Sequence, residues 1–137
     1  MSNQNTIAKS VTIKGIGLHT GKQVSAVFKP AAVDTGIVFI RTDLAGKPAV
    51  RVGVDELTRR TGSLRCNCIG KDDSAILTVE HLLAALSGLN IHNIEIEIDG
   101  NEVPGFDGSG TLFYDALLKA GVSPQDKACV PFVVRDP

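Results

Sequence analysis

The sequence lacks a long apolar run and an export signal. No hydrophobic segment approaches the roughly 20 residues that a membrane-spanning helix requires. The first ten residues, MSNQNTIAKS, also lack the apolar core of a secretory signal peptide. We therefore expect no stable membrane insertion and predict a soluble, cytoplasmic protein.

The sequence also lacks a large excess of charge of one sign and an even number of cysteines. The chain has 14 Lys and Arg residues against 15 Asp and Glu residues, and no basic stripe or run of like charge. Nucleic acid is therefore not an expected partner. The three cysteines are an odd number, and without an export signal they indicate thiols rather than a disulfide framework.

The sequence indicates one domain whose first half consists mainly of strands. The 137 residues are enough to fold without covalent or metal staples. Residues 7–14 and 23–29 alternate apolar and polar side chains, which predicts a hairpin. Between them GIGLHTG, at 15–21, has three glycines, so its backbone can take positive φ values or approach another group closely, and we expect a shaped turn. Residues 36–41 predict a buried strand, and 61–70 are compatible with a short hairpin.

The next segment changes to helical spacing. Apolar residues within TVEHLLAALSGL, at 78–89, recur at the period of a helix, with Thr78 as the expected N-cap and Gly88 as the expected end. The alternation of isoleucine with acidic residues over 94–98 then predicts a half-exposed strand.

The last third of the chain predicts a second helix over 112–120, ending at Gly121. Residues 122–130 resemble a linker, and 130–134 resemble a strand that has only begun when the sequence stops. Strands followed by two helices predict an α+β fold, a two-layer sandwich with two helices on one face of a mainly antiparallel sheet. We expect 1–125 to form one domain and 126–137 to be a linker and the first strand of a truncated second domain.

The pair Glu80-His81 lies in the first turn of the predicted helix, where unpaired N–H groups and the helix dipole create a positive potential. That potential favours carboxylate and neutral imidazole, the forms that a catalytic base and a zinc ligand require. An acidic residue in a first helical turn is also ordinary in structural helices. Taken alone, the pair favours a structural role, with Glu80 satisfying the helix start and His81 packing against a loop.

Other candidate residues also favour structural interpretations. His19 lies between glycines and has no companion at metal-ligand spacing. Cys66 and Cys68 form a C-x-C pair without the second pair that a structural zinc site normally has. We expect His92 at a surface or strand edge and Asp107-Gly108-Ser109 at the N-cap of the second helix.

Four segments taken in order resemble the UDP-3-O-acyl-N-acetylglucosamine deacetylase family, enzymes of lipid A biosynthesis. They cover most of the chain, and the ordered set is more specific than any one of them. The segments are GIGLHTGKQV (15–24), KPAAVDTGIVFIRTDL (29–44), TVEHLLAALSGLNIHNIEIEI (78–98) and NEVPGFDGSGTLFYDALLKAG (101–121).

The resemblance implies a role for each residue of the Glu80-His81 pair. Within the family motif T-V-E-H, the glutamate falls on Glu80, the base that activates a zinc-bound water, and the histidine falls on His81, a Zn²⁺ ligand. The implied substrate is UDP-3-O-acyl-N-acetylglucosamine, whose 2-acetamido group is hydrolysed with release of acetate. The resemblance assigns no substrate-binding residue.

The resemblance also implies that the metal site is divided. In the family, an H-K-x-x-D motif in the second domain of the same enzyme supplies a further histidine and an aspartate, and this sequence lacks that motif. One protein ligand cannot hold catalytic zinc, so we expect residues 1–137 alone to be inactive and to bind zinc weakly.

Two other interpretations remain open from the sequence. One is a non-catalytic homologue or stand-alone binding module of the same fold. The other is a self-contained metalloprotein that uses His19, Cys66, Cys68 and His81, and this interpretation requires tight stoichiometric zinc.

Overall fold

Residues 2–58 and 65–130, which the computed structural model describes, form strands, two α-helices and two short 3-10 helices. In chain order the strands are β1 (Asn3–Ile7), β2 (Val11–Ile16), β3 (Gln23–Pro30), β4 (Ile37–Arg41), β5 (Ala49–Arg51), β6 (Cys68–Ile69), β7 (Ile76–Leu77), β8 (Ile94–Ile98) and β9 (Val122–Ala128). The helices are α1 (Glu80–Gly88) and α2 (Thr111–Ala120), and the 3-10 helices are Val54–Glu56 and Asp72–Ser74.

A central sheet has the strand order β2-β3-β8-β4-β5. Its neighbouring strands are antiparallel except β4 and β8, which run parallel. Strand β8 lies in the middle because its three isoleucines are fully buried, while the two glutamates between them are half-buried on the other face. The predicted alternation is therefore confirmed. The predicted hairpin of β2 and β3 is also confirmed, with Ile13 opposite Ala26.

Both helices cover the apolar face of this sheet. Leu82 and Leu86 of α1 and Phe113 and Leu117 of α2 belong to the same buried cluster as the inward residues of the strands. Burying each such side chain contributes about 1.5–3 kcal/mol, so the core holds α1 firmly in place. The predicted α+β sandwich is confirmed.

The predicted start of α1 is wrong, whereas its predicted end at Gly88 is confirmed. Thr78 does not cap the helix: it has a left-handed φ of 61°, and its hydroxyl donates to Glu102 instead. The helix begins at Glu80, without a side-chain cap. Gly88 is its last helical residue, and Asn90, with φ of 52°, takes the left-handed position expected of a glycine. Asparagine tolerates this conformation because its side chain is short and polar.

The predicted linker over 122–130 is also wrong. Most of it is β9, which pairs with β1 in a separate two-stranded ribbon. The predicted first strand over 7–14 is divided, because its start belongs to β1 and β2 begins only at Val11. The boundary at residue 125 stays a prediction. The strand predicted over 130–134 falls almost entirely on residues outside the described part of the chain.

The hairpin predicted within 61–70 lies partly outside the described residues, which resume at 65. Strand β6 pairs with β7, so its partner comes after residue 70. Helix α2 ends as predicted, with Gly121 at φ of 81°. Across 2–58 and 65–130, neither helix has the length and apolar character needed to cross a bilayer.

Candidate active site

Glu80 and His81 are the first residues of α1, and both are half-buried. The backbone N–H of Asn67 donates a hydrogen bond to Oε2 of Glu80 at 3.1 Å. The N–H of Val79 donates to the carbonyl of the same asparagine at 3.3 Å. The segment before β6 is therefore bound to the start of α1, where the helix dipole places positive potential.

The turn before α2 lies against this first turn of α1. A Cβ atom on Gly110 would lie 3.0 Å from the carbonyl oxygen of His81, so the two backbones approach closely. Oδ1 of Asp107 accepts hydrogen bonds from the hydroxyl and the backbone N–H of Ser109, at 2.8 and 3.0 Å. These bonds, with a smaller contribution from the charge of His81, hold the pKa of Asp107 below its ordinary value. The turn that carries Asp107 is thus adjacent to the first turn of α1.

The predicted cap at Asp107-Gly108-Ser109 is displaced. Gly110 occupies the N-cap position of α2 and has no side chain with which to cap the helix. The hydroxyl of Ser109 accepts the N–H of Thr111 at 3.3 Å, but Asp107 bonds within its own turn. The hydrogen bonds within the turn, and not a bond to the helix, therefore orient the Asp107 side chain.

Glu102 lies between the β2–β3 turn (residues 17–22) and the start of α1, and it is only 2% exposed. Its Oε1 accepts hydrogen bonds from the backbone N–H of His19 at 2.9 Å and from the hydroxyl of Thr78 at 2.8 Å. Its Oε2 accepts the N–H of Thr20 at 2.8 Å. Burial alone would raise the pKa of Glu102, but these donors hold it below its ordinary value, so the carboxylate is ionised at neutral pH.

The close approach expected of the β2–β3 turn is confirmed at Gly17, and a glycine of the facing loop contacts the same turn. A Cβ atom on Gly17 would collide with Oε2 of Glu102. Gly105 meets the same turn from the other side, where an added Cβ would lie 2.8 Å from Cβ of Leu18. The turn is thus seated on the loop that carries Glu102.

The remaining candidates lie elsewhere or play other parts. His19 is exposed, and it is its backbone N–H that contacts Glu102. The sulfur atoms of Cys66 and Cys68 are 3.6 Å apart, beyond the roughly 2.05 Å of a disulfide. His92 is half-buried: its Nδ1 accepts the N–H of Asn5 at 3.1 Å.

Within residues 2–58 and 65–130, no three His, Cys, Asp or Glu side chains form a group that could hold a metal ion. The four residues of the self-contained metalloprotein are therefore not gathered into one site there. The donors at the start of α1 nevertheless suit part of a hydrolytic zinc site: His81 offers an imidazole, and Glu80 places a carboxylate beside it.

Sequence reasoning missed two contributors, Glu102 and Asn67. Glu102 stands in Asn-Glu-Val-Pro, where nothing in the local pattern distinguishes a buried carboxylate from a solvated one. Asn67 acts through its backbone N–H, for which residue type is no guide. The only indication of Glu102 in the sequence is the group of glycines in the β2–β3 turn. These glycines predict that another group approaches the turn closely, but they do not show which residue it is.

The chain is similar to one protein family and to several individual members that bear its name. A family model described as UDP-3-O-acyl N-acetylglycosamine deacetylase matches residues 4–137. Three similar proteins share the name UDP-3-O-acyl-N-acetylglucosamine deacetylase. That of Citrifermentans bemidjiense is 43% identical over 134 residues, which are 98% of this chain and 43% of the relative. That of Nitratidesulfovibrio vulgaris is 44% identical over 135 residues, covering 98% and 43%. That of Haemophilus influenzae is 43% identical over 128 residues, covering 93% and 41%. The chain therefore spans less than half the length of each relative.

Proposed function

Because the chain belongs to the UDP-3-O-acyl N-acetylglycosamine deacetylase family, we propose that it carries the catalytic base and one zinc ligand of a deacetylase. The proposed substrate is UDP-3-O-acyl-N-acetylglucosamine, which the names of its relatives specify. Hydrolysis of the 2-acetamido group releases acetate, as a cytoplasmic step of lipid A biosynthesis. The observation that best supports this proposal is the adjacent position of Glu80 and His81 in the first turn of α1.

Glu80 is the proposed general base. Its carboxylate takes a proton from the attacking water as the water oxygen bonds to the amide carbon. It returns that proton to the departing nitrogen as the C–N bond breaks, so the water is divided between acetate and the free amine. The N–H of Asn67 engages Oε2 of Glu80 and orients the carboxylate, and Oε1 is the proposed proton acceptor.

His81 is the zinc ligand that this chain would contribute. When bound, zinc supplies Lewis-acid activation, because it lowers the pKa of water and polarises the amide carbonyl. Catalytic zinc normally takes three protein ligands, whereas one histidine is offered here. We assign the remaining ligands to the H-K-x-x-D motif of a second domain of the same enzyme.

Acetate release from the UDP-sugar tests the proposal. Residues 1–137 alone are compared with the same chain joined to the carboxy-terminal part of the Nitratidesulfovibrio vulgaris relative, which is 44% identical over the shared region. We expect no turnover from the short chain and zinc-dependent turnover from the joined protein.

Two results would contradict it. Full activity of residues 1–137 would refute the divided site. A folded joined protein that binds the UDP-sugar without releasing acetate would instead favour the alternative, a non-catalytic homologue or binding module of this fold.

A further inference from the structure

Two segments that are distant in sequence bind the same carboxylate. The hydroxyl of Thr78 and the N–H of His19 both donate to Oε1 of Glu102, at 2.8 and 2.9 Å. The N–H of Thr20 donates to Oε2 at 2.8 Å. The β2–β3 turn and the residues that lead into α1 are therefore joined through one buried side chain.

The three donors require a carboxylate rather than a side chain of similar shape. Both oxygens accept, so a glutamine in the same place would direct its NH₂ group at one of the donors. Among the described residues, the ion pairs are Lys29 with Glu97, Arg41 with Asp43 and Lys127 with Asp34, and Glu102 takes part in none of them. Neutral hydrogen-bond donors therefore compensate the buried charge, and this requires that the donors keep their positions.

Thr78 is the link to the helix. It is 2% exposed and holds a left-handed φ of 61°, which β-branched residues rarely adopt. Its conformation sets the direction of the chain just before Glu80, the first residue of α1. The hydroxyl that this conformation presents to Glu102 at 2.8 Å connects the helix start to the turn that carries His19.

We propose that Glu102 is a positioning residue of the site, which fixes the β2–β3 turn against the entry to α1 and thereby sets the place of Glu80 and His81 at the start of the helix. It acts through Thr78 and through the backbone of His19 and Thr20. The catalytic meaning of this arrangement rests on the function proposed above, whereas the mechanical coupling does not.

Amide hydrogen exchange and NMR shifts of the 137-residue chain test the coupling. Glu102→Gln should lower the exchange protection of the His19 and Thr20 amides at least about tenfold and shift the amide resonances of residues 78–81. Thr78→Val, which removes only the hydroxyl donor, should shift residues 78–81 and leave Thr20 protected.

Asp99→Asn is the matched control. Oδ1 of Asp99 also accepts a backbone N–H, that of Ser25, at 2.6 Å, but it does so at the end of β8. Its effects should stay near that bond. If Glu102→Gln leaves residues 78–81 unchanged, or if the control moves them equally, the coupling is refuted. If Glu102→Gln does not fold, Thr78→Val decides the question through the turn: it should shift the amide resonances of His19 and Thr20, and unchanged resonances there would refute the coupling.

Turnover in the joined protein tests the catalytic meaning. We expect Glu102→Gln and Thr78→Val to lower kcat at least about tenfold with KM little changed and zinc retained, and we expect Glu102→Asp to recover part of the loss. Active wild type with unimpaired variants would refute the positioning role and leave the proposed function standing. A joined wild-type protein that is inactive, although the 137-residue chain shows the NMR coupling, would refute the proposed function and leave the coupling standing.

Discussion

At the scale of single residues, Glu80 and Glu102 show how surroundings assign different tasks to one side chain. Glu80 is half-buried at a helix start and has one backbone N–H on its carboxylate. Glu102 is almost fully buried and accepts hydrogen bonds from the backbone of His19 and Thr20 and from the hydroxyl of Thr78. Among the described residues, no hydrogen bond engages Oε1 of Glu80, which leaves that oxygen available for the proposed chemistry, whereas both oxygens of Glu102 accept hydrogen bonds within the fold.

Replacing Glu80 by glutamine should separate activity from stability. In the joined protein we expect acetate release to fall at least about 100-fold, because the proton acceptor is lost. The free energy of unfolding should fall by no more than about 1 kcal/mol, because glutamine keeps an oxygen for the Asn67 N–H and loses only the favourable charge at the helix start. Glu95→Gln, on the half-exposed face of β8, is the matched control and should retain activity. Equal turnover in both variants would contradict the assignment of Glu80.

Glu102 should make stability depend on pH. Its pKa in the fold is below its ordinary value in the unfolded chain, so its ionisation stabilises the fold above that ordinary pKa. The contribution is lost as pH falls through the folded pKa. Urea unfolding should find Glu102→Gln less stable by about 1–3 kcal/mol at pH 7. The difference should shrink below about pH 4.

The lowered pKa values of Asp34, Asp43 and Asp107 act in the same direction, but they are common to both proteins. The difference between wild type and Glu102→Gln therefore isolates Glu102. A difference that stays constant from pH 7 to pH 3 would contradict the prediction.

The sequence identified Glu80 and His81 as candidates, and the family motif chose between their structural and catalytic interpretations. It did not identify Glu102, since the role of that residue exists only when the β2–β3 turn and Thr78 surround it. Thr78 was misassigned for a related reason: a threonine before a helical pattern is a good N-cap, but its hydroxyl is already bound to Glu102.

At the scale of elements, the predictable parts are those with one buried face. Strand β8 and helix α2 were found because burial imposes a period of 2 or of 3.6 on their apolar residues. Strand β9 was missed because its half-buried face carries the polar residues Ser123 and Gln125, so its sequence shows no apolar alternation. It also contains Pro124, which is tolerated because β9 has a single neighbouring strand.

The end of α1 offers a test of backbone conformation. Asn90→Ala should lower the free energy of unfolding by about 1 kcal/mol, because alanine is disfavoured at the left-handed φ of 52°. Asn90→Gly should be neutral or slightly stabilising. Ser87→Ala, at an exposed position of the same helix, is the control. If alanine and glycine at residue 90 are equally stable by urea unfolding, the left-handed assignment is wrong.

Asn93 should connect the β1–β9 ribbon to the sheet. It is 2% exposed; its Oδ1 accepts the N–H of Gly36 at 2.8 Å, and its Nδ2 donates to Gln4 and Gln125 at 2.7 Å. We expect Asn93→Ala to destabilise the fold by about 1–3 kcal/mol in urea unfolding and to lower exchange protection in β9. Asn3→Ala, at an exposed position of β1, should do neither. Unchanged protection in β9 would contradict this connection.

At the scale of the whole molecule, the described residues have one core shared by the sheet and both helices. The chain matches its family model from residue 4 onward, yet spans only 43% of the Nitratidesulfovibrio vulgaris relative. The core explains how α1 presents Glu80 and His81 at a fixed place. The proposed chemistry needs more zinc ligands than this chain offers, so the proposed activity requires a second domain.

Zinc stoichiometry after removal of weakly bound metal tests that claim most directly. We predict well under one zinc per molecule for residues 1–137, one zinc per molecule for the joined protein, and loss of that zinc in its His81→Ala variant. One tightly held zinc in residues 1–137, or full retention of zinc by the joined His81→Ala protein, would contradict the account.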